Sequence, residues 1–399
     1  MSSNRARATV PLAVAAVVAV SPPVSCAPVP GDSAPPPAPE PARRPPADRT
    51  SPTLPPGTTG PPAGPPSTAA VTTTLPATGV PEPTVPAPST GSHVTAAARD
   101  TIGGCELFPA DNAFHADVTS LSVTGASAAT IDAIGRSTTL LAGFGSGVWS
   151  GSRLGIPTNV VDGPSTPTQD LIVSVDAQGT SEPYGVPWPS GVRFEGWPGR
   201  AWDRHLLVVD SATCRSWEAI NLQSPLENLF GALLDRWYAD KVVTVDLTSN
   251  DYRTGGTVKA SGLSLLAGLV RYDEVASGSI DHALALSLPV ISSGPSVWPA
   301  DGTDGRSTDP ASPRMGAWFR LRSDADLDGL GPQARVVARA LQVHGAVLAD
   351  TGPNAAISGE PDLRWDDADL AGLGRLTMSD FEIVDPSPMR VSSGSLRIR

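Results

Sequence analysis

The clearest alternation of apolar and polar positions in the chain runs from Ile280 to Leu288. One face of an extended segment would carry Ile280, His282, Leu284, Leu286 and Leu288. The other face would carry Asp281, Ala283, Ala285 and Ser287. A period of two residues is typical of a β-strand, so this segment is predicted to be a strand of the core.

Shorter apolar runs predict further strands at 171–175, 205–210, 214–220, 242–247, 315–322, 346–350 and 381–384. Residues 211–213 form a turn between two of these runs, which predicts a hairpin. Helical spacing predicts helices at 128–136, 332–344 and 368–376, the clearest being 332–344. Many short strands and few helices predict a β-rich α+β fold, with a sandwich- or barrel-like sheet core and a few packed helices.

The first 26 residues have the order of a secretory signal. Two arginines precede an apolar run at 10–20, and Pro22 and Pro23 follow it. The run is too short to span a bilayer, and the alternative interpretation is a buried core helix. The segment ends in Val24-Ser25-Cys26, which resembles the lipobox of bacterial lipoproteins. Lipidation of Cys26 is therefore expected, although Pro23 stands where that motif usually has Leu, and ordinary cleavage is the alternative.

Residues 27–98 are mostly Pro, Ala, Thr, Ser and Gly, without Phe, Trp or Tyr. Such a composition cannot bury enough apolar area to offset the entropy of ordering, which predicts a disordered tether. Residues 99–399 contain all nine Trp and all four Tyr. This part of the chain is predicted to be a single globular domain.

The formal net charge is −12 and the basic residues are scattered, which argues against nucleic acid as a partner. No P-loop, G-x-S-x-G, H-E-x-x-H or C-x-x-C motif occurs, and no cofactor is predicted. Asp324, Asp326 and Asp328 have the spacing of the first ligands in an EF-hand calcium loop. The twelfth position of such a loop, which supplies a bidentate Glu, is Arg335 here. A turn before the helix at 332–344 is the better interpretation, so no metal site is predicted.

The chain has three cysteines. If Cys26 carries lipid, Cys105 and Cys214 remain, and in an oxidising compartment they are predicted to form a disulfide. Two free buried thiols are the alternative.

Candidate chemistry is densest around Arg271-Tyr272-Asp273-Glu274 and the nearby His282. We predict an acid/base role for Asp273 or Glu274, with His282 and Asp350 close by. The alternative for His282 is a hydrogen-bonded core residue. Asp350 ends a predicted strand and would otherwise cap a turn.

The predicted ligand-binding side chains are Arg271, Tyr272, Trp298 and Trp365. Arg271 would neutralise charge in a lyase reaction. Trp365 belongs to a polar-aromatic group at 362–367, for which a capped helix start is the alternative. Further loop tryptophans at positions 149, 188, 197 and 202 are expected either to stack on sugar rings or to fasten loops to the core.

Several segments together resemble a functionally uncharacterised family of secreted bacterial proteins. The resemblance covers most of residues 105–385 and is carried by GLVRYDEV at 268–275, IDHAL at 280–284, VWPA at 297–300, residues 335–350 and RWD at 364–366. Members share the two cysteines, and some are joined to carbohydrate-binding modules. The resemblance to proteins that carry such modules implies a function on polysaccharide, but it assigns no catalytic residue. This chain carries the tether where those relatives carry a module.

These observations lead to an expected function outside the cytoplasm. The chain is expected to be secreted or held at the outer side of the membrane by its N-terminal lipid, and to act on polysaccharide of the cell surface or the environment. A hydrolase would need two carboxylates about 5–10 Å apart across a groove. The alternative is a non-catalytic, cell-wall-associated lipoprotein with a structural or binding role.

Overall fold

The computed structural model describes residues 101–399. The predicted signal segment at 1–26, the lipidation of Cys26 and the tether at 27–98 lie outside the described residues. Within residues 101–399 no helix is both long and apolar enough to cross a membrane.

The strands are mostly short. They are β1 (Thr101–Ile102), β2 (Cys105–Glu106), β3 (Leu141–Ala142), β4 (Val148–Trp149), β5 (Ser152–Arg153), β6 (Thr158–Val161), β7 (Thr168–Gln169), β8 (Ile172–Val173), β9 (Val186–Pro187), β10 (Leu206–Asp210), β11 (Arg215–Ile220), β12 (Tyr238–Ala239), β13 (Lys241–Asp246), β14 (Leu284–Leu288), β15 (Trp318–Leu321), β16 (Ala346–Thr351), β17 (Ala356–Ile357) and β18 (Phe381–Val384). The helices are α1 (Ser127–Ile134), α2 (Leu229–Leu234), α3 (Tyr272–Ser277), α4 (Pro332–Val343) and α5 (Asp367–Leu370), with 3-10 turns at Ala113–His115, Gly163–Ser165, Val175–Ala177, Ala371–Arg375 and Met378–Asp380.

Two sheets build the core. The larger is a curled half-barrel of six strands in the order β18-β15-β16-β14-β17-β3. The smaller has four strands in the order β13-β11-β10-β6. The β-rich fold class expected from the sequence is therefore confirmed.

The two sheets share one apolar layer. Leu207 and Val209 of β10 belong to the same buried cluster as Ala285 of β14 and Val347 of β16. The opposite face of the larger sheet packs against α4, and the opposite face of the smaller sheet packs under loops that carry Trp188. Both sheets are thus buried on both faces, which makes the architecture a layered sandwich.

The strand expected at 280–288 forms only over Leu284–Leu288. Its leucines face the α4 side and its alanines face the second sheet, as the alternation predicts. Residues before Leu284 leave the strand because Ala283 donates its N–H to the carbonyl of Phe114 at 2.7 Å. A loop thereby replaces a neighbouring strand at that end.

Helix α4 is the amphipathic helix expected from the sequence, and it ends one residue earlier. Its first free N–H groups are capped by a side chain from α5. Asp369 accepts hydrogen bonds from the N–H groups of Gln333 and Ala334 at 2.8 and 3.2 Å. A carboxylate at this position satisfies orphan donors and complements the helix dipole.

The predicted disulfide is confirmed. Cys105 of β2 is bonded to Cys214, which lies in the turn between β10 and β11, and their Cα atoms are 5.4 Å apart. The bond joins the beginning of the described chain to the smaller sheet.

Candidate functional site

Arg271, Glu274 and His282 come together as the sequence suggested, but they do so in the protein interior. Oε1 of Glu274 lies 2.7 Å from Nη2 of Arg271 and 3.1 Å from Nε2 of His282. Oε2 of the same carboxylate accepts the N–H of Arg271 at 3.0 Å, which caps α3. Burial alone would raise the pKa of Glu274, but the His282 and Arg271 charges outweigh burial and lower it. The group is a buried ion cluster that fixes the start of a helix.

Replacing Glu274 by Gln is expected to lower the free energy of unfolding by about 3–5 kcal/mol, because Arg271 would stay buried without its carboxylate. Urea unfolding measures this loss. Asp273→Asn is the matched control, since the Asp273 side chain is 82% exposed. The control is expected to change stability by less than about 1 kcal/mol. Equal small losses in both variants would show that the cluster contributes little.

Asp273, Tyr272 and Trp365 belong to a series of side-chain contacts that runs from the surface into the core. Asp273 pairs with Nη1 of Arg364 at 2.9 Å, and that guanidinium lies 4.0 Å from the centre of the Tyr272 ring. Tyr272 packs edge-on against Trp365, which is buried and donates to the carbonyl of Glu360 at 2.9 Å. The following Asp366 caps α5 through the N–H of Ala368 and Asp369. These contacts hold α3 against residues 360–370.

Trp298 lies elsewhere, in the wall of a cavity of about 670 Å³ that also includes Tyr252, Asp301 and Arg314. Its ring is mostly buried, and its Nε1 donates to the carbonyl of Ser395 at 3.0 Å. The structure therefore keeps Arg271, Tyr272 and Trp365 near one another but places Trp298 in a separate cavity.

Asp350 is the predicted catalytic residue that lies in a cavity with other titratable groups. The cavity has a volume of about 690 Å³, and the titratable side chains in its wall are Glu195, Asp203, His205, Lys259 and Asp350. We call it the acidic cavity. Asp350 reaches it from the end of β16, where the pairing with β14 shifts by one residue next to Ser287. Such bulges redirect side chains at strand ends.

The backbone of residues 202–205 is unusual. Trp202 and Arg204 both have left-handed backbone conformations, with φ of 60° and 54°. Non-glycine residues rarely adopt this conformation, and the surrounding structure must hold it. The Arg204 side chain supplies an anchor, because it is buried and donates to the carbonyl of Leu222 at 2.6 Å and to Glu227 at 2.9 Å. Trp202, Asp203 and His205 all line the acidic cavity.

His205 and Glu195 form a buried pair on one wall. Nδ1 of His205 lies 2.7 Å from Oε2 of Glu195, which also accepts the His205 N–H at 3.2 Å. Burial alone would lower the pKa of His205, but the carboxylates of Glu195, Asp203 and Asp350 together raise it. The shift favours the charged form of the imidazole, and the contact through Nδ1 orients the Glu195 side chain.

The pKa shifts of Asp350 and Lys259 favour their neutral forms, whereas the shift of His205 favours its charged form. Burial raises the pKa of Asp350 more than the Lys259 and His205 charges lower it. Burial lowers the pKa of Lys259, against the attraction of Asp350, Glu218 and Glu195. Lys259 is 5% exposed, and its Nζ makes no hydrogen bond to any residue in 101–399. His205 Nε2, equally buried, also lacks such a partner.

Asp203 stands at the rim, where its side chain reaches solvent. The concave wall still removes enough water to raise the pKa of Asp203, and the nearby Glu195 charge adds to that rise. Two of the loop tryptophans, Trp149 and Trp202, also lie at the rim. They are 62% and 39% exposed, with ring centres 5.8 Å apart. An exposed aromatic pair beside hydrogen-bonding groups suits a sugar ring, whose faces present C–H groups.

Among the residues that line the acidic cavity, sequence reasoning singled out Asp350 and the two rim tryptophans but not Glu195, Asp203, His205 or Lys259. A signal existed in residues 195–205, which place a Glu, an Asp and a His beside two Trp in a Gly/Pro-rich loop. Lys259 offers the other signal, because it is one of two lysines in the chain and lies next to apolar residues. Their burial could only be learned from the fold.

Within residues 101–399 no group of three His, Cys, Asp or Glu side chains is arranged to hold a metal ion. The segment at 324–329 is the turn that the sequence favoured, with Asp326 accepting the N–H of Asp328 at 2.8 Å. No protein-family model, curated protein or solved structure matches this chain.

Proposed function

We propose that the acidic cavity is the active site of a polysaccharide hydrolase. The observation that carries this proposal is that two carboxyl groups, Asp350 and Glu195, line one cavity in different surroundings. Asp350 has a raised pKa because it is buried, whereas Glu195 is hydrogen-bonded to Nδ1 of His205. Glycosidic cleavage uses two carboxyl groups whose surroundings give one the role of acid and the other the role of base.

In the proposed reaction, Asp350 donates its proton to the glycosidic oxygen as the bond between that oxygen and the anomeric carbon breaks. Glu195 accepts a proton from the water whose oxygen forms the new bond to that carbon. Its Oε2 is occupied by His205, and Oε1 has no hydrogen-bonding partner within residues 101–399. The Lys259 charge opposes the rise of the Asp350 pKa that burial causes.

We also propose that the chain works outside the cytoplasm, as the N-terminal segment suggests. The disulfide between Cys105 and Cys214 supports this location, because such bonds persist in oxidising compartments. A lipid on Cys26 and a tether at 27–98 would hold the domain near the cell wall.

The exposed pair Trp149 and Trp202 favours one other function, which is saccharide binding without turnover. The incubation of the purified chain with a panel of polysaccharides separates the two functions. New reducing ends support hydrolysis, whereas retention of a glycan without new ends supports binding alone.

Trp202→Ala is expected to weaken saccharide binding roughly 2- to 10-fold, because one aromatic contact of about 0.5–1.5 kcal/mol is lost. If the chain cleaves the glycan, KM should rise while kcat changes less. Tyr184→Ala is the control, since Tyr184 is 72% exposed and lies outside the acidic cavity. Equal binding by both variants would remove the rim tryptophans from the site.

A further inference from the structure

A second concave surface lies on the other side of the wall of the acidic cavity. Along residues 153–157, successive residues line two different cavities in alternation. Leu154 and Ile156 line the acidic cavity. Arg153 and Pro157 line a separate cleft of about 400 Å³, together with Arg193, Trp197 and Leu363. We call this second surface the arginine cleft.

The arginine cleft has a surplus of positive charge. Arg153 is exposed, and none of residues 101–399 forms an ion pair or a side-chain hydrogen bond with it. Arg193 is held in place by its backbone, which exchanges hydrogen bonds with the Asn159 side chain, and by its Nη2, which donates to the carbonyl of Thr158 at 2.7 Å. Asp362 is the one carboxylate among the lining residues, against two arginines, and it pairs with Arg364, which also pairs with Asp273, through contacts of 2.9 and 2.6 Å. A cationic cleft is unexpected in a chain of net charge −12.

Apolar surface lies beside these charges. Trp197 is 48% exposed, and its ring packs against Phe194, with ring centres 5.4 Å apart. Leu363 is 73% exposed on the same cleft. Trp197 is therefore held at a fixed angle by the core while one of its faces stays open.

We propose that the arginine cleft binds an acidic saccharide, with an anionic substituent between Arg153 and Arg193 and a sugar ring against Trp197. Guanidinium groups bind carboxylate and sulfate through charge-assisted hydrogen bonds. The aromatic face contacts the C–H groups of the ring. The inference does not rest on hydrolysis in the acidic cavity, because it concerns binding at a different set of residues.

Isothermal titration of the purified full chain tests this proposal. The probes are a galacturonic acid hexamer, a heparin-derived hexasaccharide and neutral cellohexaose. The chain is expected to bind an acidic oligomer at least about tenfold more tightly than cellohexaose, and to lose this preference as ionic strength rises from about 0.05 M to about 0.5 M. Tighter binding of the galacturonic acid hexamer identifies carboxylate as the preferred substituent, whereas tighter binding of the heparin-derived hexasaccharide, which carries both groups, shows that sulfate contributes.

Arg153→Gln is expected to weaken binding of the preferred acidic oligomer about tenfold, since one charge-assisted contact is lost. Arg322→Gln removes the same charge from a surface position that is 46% exposed, and it is expected to bind as the wild type does. Cellohexaose binding should be the same in all three proteins. The proposal is overturned if Arg153→Gln binds the acidic oligomers as the wild type does, or if cellohexaose binds equally well.

Discussion

Asp350→Asn is expected to lower the rate of glycan cleavage by about 10²- to 10⁴-fold, because an amide cannot donate the proton that the leaving oxygen needs. Measured release of reducing ends at saturating glycan gives this rate. Asp273→Asn separates the acidic cavity from the site favoured by the sequence, since Asp273 is exposed and paired with Arg364. That variant is expected to retain the wild-type rate. A low cleavage rate in Asp273→Asn, together with a wild-type rate in Asp350→Asn, would place the catalytic site at α3 instead.

The loss of activity in Asp350→Asn should not come with a loss of stability. The folded-state pKa of Asp350 is raised, so the native chain keeps a proton that the unfolded chain releases. Asp350 therefore reduces stability increasingly as pH rises from its unfolded pKa of about 3.9 towards its folded value. The Asn variant removes this penalty, and its melting temperature at neutral pH should equal or exceed that of the wild type. The wild-type cleavage rate should fall as pH rises through the raised pKa of Asp350.

The loss of the disulfide is expected to have the largest effect on stability. Cys105 and Cys214 are separated by 109 positions in the sequence. Closure of a loop of this length removes entropy from the unfolded chain, and the double variant Cys105→Ser, Cys214→Ser should lose roughly 4–5 kcal/mol of unfolding free energy. Guanidinium chloride unfolding without reductant measures the difference.

Reduction of the wild-type chain provides the control for that experiment, because it opens the same loop without a substitution. Both treatments should lower the unfolding midpoint by a similar amount. A loss below about 1 kcal/mol would mean that the unfolded chain stays compact around residues 105–214 even when the loop is open.

The elements that could be predicted from the sequence are those in which apolar residues recur with a strong period. Leucines alternate with small residues over 284–288, since the strand packs α4 on one side and the second sheet on the other. Helix α4 shows an apolar face because it covers the larger sheet. Two-residue strands such as β4 and β5 have no periodicity to detect, and tertiary contacts alone define them.

The candidate site was less predictable, since its groups come from separate parts of the chain. Glu195 and His205 flank a loop, Lys259 lies after β13 and Asp350 ends β16. Residue types alone could not decide between an acid/base site and a buried helix cap for Arg271, Glu274 and His282, because both use the same residue types. Burial and the absence of a shared groove distinguish them, and both properties depend on the fold.

One crystal structure would show whether glycan is bound and cleaved in the acidic cavity. The Asp350→Asn chain would be soaked with an oligosaccharide that the wild-type chain cleaves or retains. The expected result is a sugar ring against Trp149 and Trp202, with a glycosidic oxygen within hydrogen-bonding distance of residue 350. A glycan bound at another surface, with the acidic cavity holding no sugar, would mean that glycan is not cleaved in the acidic cavity.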